Sequence, residues 1–123
     1  MLGTRPQLED IHSRGIEPEL IPDPGTGVAL PVSKSGEIQI VTGGSGETNT
    51  LAIPTFHGQR LVLSMKTDGG GDRVITVASA INASGNTIIT LNDAGDAICL
   101  EASRGSAGVL KWNVAWTNGP SLS

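Results

Sequence analysis

The distribution of proline constrains this chain more than any other feature. Five of the seven prolines, Pro6, Pro18, Pro22, Pro24 and Pro31, fall at or before position 31. Each fixes φ and removes a backbone donor, so this stretch forms neither a long helix nor a central strand. Residues 7 to 14 place Leu8 and Ile11 on one face of a turn or two of helix, a piece too short to be stable alone. From Gly15 to Pro31 a proline or glycine recurs every few residues, yet Ile16, Leu20, Ile21, Val28 and Leu30 stay apolar, unlike a Gly/Ser linker. Such side chains require a surface to lie on. The expectation is an extended, proline-rich N-terminal arm over residues 1–31, gripping a partner through those five side chains, and a β module over residues 32–123.

The rest of the chain alternates. Short runs with period-two patterning cover Glu37–Val41, Thr48–Pro54, Arg60–Lys66, Arg73–Ala78, Thr87–Asn92, Ala97–Ala102 and Val109–Thr117. Between them lie TGGSGE (42–47), TDGGGD (67–72), NASGN (82–86), NDAGD (92–96), SRGSAG (103–108) and NGP (118–120), all built from residues that supply tight-turn backbone. Connections this short join antiparallel neighbours, because a parallel crossover needs a dozen residues or more. The expected fold is therefore all-β: an antiparallel meander of about seven strands, closed into a small sandwich, jelly roll or barrel. In the last run Leu110, Trp112, Val114 and Trp116 share one face, with Lys111 and Asn113 on the other. Trp112 and Trp116 are thus either core filling or anchors at a subunit boundary.

Several functions are disfavoured. The net charge is −4 and the eight Lys and Arg are scattered, so no phosphate-backbone footprint exists and nucleic acid is not an expected partner. With one Phe, two Trp and no Tyr, stacking platforms for bases or sugars are scarce. His12 and His57 stand in no metal-ligand spacing, TGGSGE lacks the lysine of a phosphate loop, and neither GxSxG nor SxxK occurs. No enzyme and no cofactor are expected. The Asp68–Asp72 and Asn92–Asp96 turns set carboxylates around glycine and could offer oxygens to calcium, but Asp and Asn also form such turns unaided. Cys99, the only cysteine, lies in an apolar run and reads as a small buried hydrophobe. No secretory leader or bilayer-spanning run is visible, which leaves no membrane partner and places synthesis in the cytoplasm of whatever cell makes the chain.

The segment from Gly71 to Ser123, GDRVITVASAINASGNTIITLNDAGDAICLEASRGSAGVLKWNVAWTNGPSLS, carries a resemblance. It pairs an ITVASAIN-like strand with TIITL, turns at Asp93-Ala94-Gly95-Asp96, ends a strand at Leu100-Glu101, turns through small residues to Gly108, and closes on a Trp-centred strand with Asn118-Gly119 and Leu122-Ser123. In this it resembles a small β-rich module of tailed-bacteriophage structural proteins, in particular head-decoration (cement) and fibre-type proteins. The resemblance implies a virion protein, commonly a homotrimer, that binds the major capsid protein shell from outside and stabilises the head. The alternative it leaves open is a fibre or receptor-binding module attached through its N-terminus.

Overall fold

A computed structural model describes residues 19–123. The described residues form ten strands and no helix: β1 (Leu20–Ile21), β2 (Val28–Ala29), β3 (Gly36–Val41), β4 (Glu47–Leu51), β5 (Arg60–Thr67), β6 (Arg73–Val77), β7 (Ile88–Leu91), β8 (Ala97–Arg104), β9 (Leu110–Asn118) and β10 (Ser121–Leu122). They make two five-stranded sheets, β1-β3-β5-β8-β9 and β10-β7-β6-β4-β2. The fold is all-β and sandwich-like, and it is not a closed barrel.

The expected antiparallel meander is corrected in its first half. β1, β3 and β5 pair in parallel, as do β2, β4 and β6. The reason is that consecutive strands alternate between sheets. A short connector here crosses the sandwich to the facing sheet, and two connectors plus the intervening strand supply the length that a parallel return demands. The chain thus winds as a flattened coil through β6, with glycine-rich corners stacked at one end. Only then does it fold back, with antiparallel pairs β6/β7, β5/β8, β8/β9 and β7/β10.

The alternation read from the sequence sets the core. Sheet one contributes Ile38, Ile40, Leu61, Leu63, Met65, Ile98, Leu100, Ala102 and Trp112, and sheet two Leu51, Ile75, Val77, Ile89 and Leu91. Across one inner row, Ile38, Leu63 and Ile98 are direct neighbours. Trp112 is fully buried, and its indole Nε1 donates to the Ala52 carbonyl at 2.9 Å, so the ring fills the core without stranding its polar atom.

The boundary of the arm is also corrected. Residues 20–31 belong to the β body: β1 and β2 are the first winding, and Ile21 and Leu30 are buried in the common core. Pro22 and Pro24 sit in the corner between β1 and β2, where a missing donor costs nothing. Three strands of two residues, β1, β2 and β10, add to the seven expected ones; they are too short to show a period.

The two tryptophans part company for a local reason. The β8/β9 register runs Leu100↔Val114 and then Cys99↔Trp116, so Ala115 is an extra residue in a β-bulge. The bulge moves Trp116 off the inner face shared by Trp112 and Val114, and it lies opposite the outward-facing Cys99. Trp112→Ala should therefore cost about 3–5 kcal/mol in urea unfolding, independent of protein concentration. Trp116→Ala should cost the isolated subunit only about 1 kcal/mol.

Candidate interaction surface

Two regions concentrate the chemistry of the described residues. The first is the corner where the windings stack. Gly69 and Gly71 pack so closely on the previous corner that a Cβ on either would collide with the Thr42 or Ser45 carbonyl, while the Gly71 amide donates to the Gly43 carbonyl at 2.9 Å. Below the corner lies Arg73, at an inward position of β6 shared with Ile75 and Val77. Its side chain is only 1% exposed. The guanidinium donates from Nη1 to Asp23 Oδ1 and to Asn49 Oδ1, both at 2.9 Å, from Nη2 to Asp23 Oδ2 at 3.1 Å and to the Val41 carbonyl at 3.2 Å, and from Nε to Glu47 Oε1 at 2.9 Å. One side chain thereby ties all three windings together. Asn49 continues the network, its Nδ2 donating to the Gly25 and Val28 carbonyls.

The electrostatics are those of a satisfied buried cluster. Burial acts to raise the Asp23 pKa, but the Arg73 hydrogen bonds and the Gly25 and Val41 amides outweigh it, and the carboxyl is held below its ordinary value. The Gly43 amide is the main cause that lowers Glu47; desolvation opposes it and Arg73 adds to it. Burial would lower the Arg73 pKa, and the hydrogen bonds it donates to Asp23 and Glu47 raise it instead. Above this corner an open cleft of about 550 Å³ runs between Gly44–Gly46 and Gly70–Asp72, floored by Thr48 and Val74. Glu47, on its wall, is already committed to Arg73 and the Gly43 amide, which leaves Asp72 as the other acidic side chain of the lining.

The second region is the outer face of the first sheet. Cross-strand pairing sets Leu20, Glu37, Val62, Cys99 and Trp116 in one transverse row from edge to edge. Leu20 and Trp116, at the two ends, are 59% and 45% exposed. Cys99 is buried although it points outward, because Val62 and Trp116 flank it; this covers the thiol without making it part of the core. Glu37, the polar interruption, accepts from the Ser64 hydroxyl at 2.8 Å.

The residues singled out from the sequence are thus scattered rather than gathered. Leu20 and Val28 are exposed, Ile21 and Leu30 are in the core, and Ile16 and His12 lie outside the described residues. His57 is exposed in the loop between β4 and β5. The acidic turns serve the backbone: Asp68 Oδ1 accepts from the Gly70 amide, and Asp96 Oδ2 from the Asn92 and Asp93 amides. Among the described residues no three potential metal ligands come together. The Arg73 cluster escaped the sequence reading; its one signal was an arginine in phase with the inward Ile75 and Val77. No protein-family model and no curated protein matches the chain.

The cluster makes two predictions. Arg73→Ala should destabilise by about 3–5 kcal/mol, since it leaves two carboxylates facing each other, and Arg73→Lys should recover only part because an ammonium lacks the planar fork. The lowered Asp23 and Glu47 carboxyls contribute stability that is complete above the ordinary carboxylate range, about pH 4, and is lost as pH falls through their lower folded values. Asp23→Asn should flatten that acid limb in a pH series of thermal melts.

Proposed function

We propose that this chain is a structural protein of a tailed-phage particle, a decoration protein that sits as a homotrimer on the outer surface of the major capsid protein shell and stabilises the head. The observation that carries this reading is the apolar row ending in Trp116. In a chain with three aromatic side chains, one is spent on the outside of a sheet, on edge strand β9, beside the buried Cys99 thiol that separates it from Val62. An exposed tryptophan at a sheet edge suits a subunit boundary, where aromatic anchors concentrate binding energy and edge strands gain cover. It does not suit catalysis: the buried charged cluster of Arg73, Asp23 and Glu47 is occupied in holding the windings together. The resemblance of residues 71–123 to decoration and fibre proteins supplies the particle.

A fibre or receptor-binding module is the second reading. The parallel stacking of β1/β3/β5 and β2/β4/β6 favours it, because such windings suit an elongated, axially repeating body. Placement in a particle separates the two: density at three-fold or quasi-three-fold points of the capsid supports decoration, and density at a tail or vertex supports a fibre.

The assembly reading predicts that Trp116→Arg converts a sedimenting trimer into a folded monomer with an unchanged far-UV spectrum and abolishes capsid decoration. A wild-type monomer that decorates capsids singly would sink it. Deletion of residues 1–18, which spares Asp23 and Ile21, tests whether the segment containing Ile16 contributes to the grip; the expected result is a folded β body with weaker retention on particles.

A further inference from the structure

The chain's one Asn-Gly pair joins the last residue of β9, Asn118, to the first residue of the turn to β10, and the fold dictates its second member. Gly119 has φ +104°, and a Cβ there would collide with Asp96 Oδ1. Asp96 cannot withdraw, because its other oxygen caps the Asn92 and Asp93 amides at 3.0 and 3.1 Å. Position 119 is therefore confined to glycine, and the peptide nitrogen following Asn118 has no side chain to shield it.

We propose that Asn118 is a site of spontaneous covalent modification, deamidating through a succinimide to aspartate and isoaspartate. The Gly119 amide nitrogen gives up its proton and attacks Asn118 Cγ. The bond from Cγ to the side-chain nitrogen breaks, and ammonia leaves. One water then opens the ring at either carbonyl, giving an α- or a β-linked aspartyl peptide; water enters, ammonia departs, and no oxidant or cofactor is needed.

The other asparagines show why this one is singled out. Side chains of Asn49, Asn82, Asn86 and Asn113 are held in hydrogen bonds. Asn92 is followed by an amide that Asp96 holds. Asn118 is exposed, and neither its side chain nor the Gly119 amide makes a hydrogen bond within the described residues. The Asp68-Gly69 pair, chemically akin, is protected because the Gly69 amide donates to Thr42 Oγ1 at 3.1 Å.

The consequence falls on the closure of the second sheet. A β-linked residue inserts one extra backbone carbon just before β10, whose short pairing with β7 is extended by the Ser123 carbonyl accepting the Thr87 and Ile88 amides, both at 2.9 Å. Deamidation also adds a negative charge next to Asp96.

The test is to incubate the folded full-length chain in mildly alkaline buffer at body temperature for several weeks and follow the tryptic peptide that begins at Trp112. The expected result is a gain of about one dalton located at Asn118, with isoaspartate detected by methyltransferase labelling, about tenfold or more faster than any change at Asn113 in the same peptide. Converted protein should exchange the Thr87 and Ile88 amide hydrogens faster, and Asn118→Gln should show neither change. Asn118 intact in the folded chain, or converting no faster than Asn113, overturns the proposal, whether or not the urea-unfolded chain converts.

Discussion

The guanidinium of Arg73 is the interaction on which the rest of this architecture depends. Parallel winding stacks chain corners on one another, and each corner brings peptide groups that no ladder satisfies. Arginine is suited to the position because it presents a rigid fork of donors and stays charged throughout the accessible pH range. From β6 it reaches Asp23 in the first winding, Val41 at the end of β3, and Glu47 and Asn49 on β4. An apolar side chain of the same volume would leave the Asp23 and Glu47 carboxylates without a countercharge and the Asn49 Oδ1 and Val41 carbonyl without this donor. Buried ion pairs often add little net stability against a hydrophobic replacement. What this one adds is registry: it specifies which corner lies over which.

The opposite end of the sandwich is held by a neutral version of the same device. Gln59 is fully buried; its Nε2 donates to the Val32 and Lys34 carbonyls, and its Oε1 accepts the Thr55 amide at 2.8 Å. With Trp112 bonded to Ala52, both ends of the core are closed by side chains that serve loop backbone. These polar groups are consumed by structure. What remains available to a partner on the first sheet is its outer face, and that division underlies the reading of the chain as an assembly protein rather than an enzyme.

Much of the strand content was legible in the sequence, since a two-residue period interrupted by Gly, Asn and Asp has few other solutions. All seven strands expected from that period are present. Their pairing was not legible, because a short connector looks the same whether it returns along one sheet or crosses to the facing one. The first winding was hidden by its prolines: Ile21 and Leu30 sit in the core among residues that read as an arm. The surface strip was hidden too. Alternation alone carries Trp116 to the face of Trp112, and only the extra residue Ala115 turns it outward.

The sequence by itself determined the class of fold, the strand positions and the turns, because these depend on side-chain period and on backbone preferences that act over a few residues. Tertiary structure alone decided that the windings run parallel, that Arg73 finds Asp23 fifty positions away, and that Gly119 is pinned by Asp96. Those outcomes depend on which distant segments share a corner, and contacts between distant segments leave no local periodic trace in the chain.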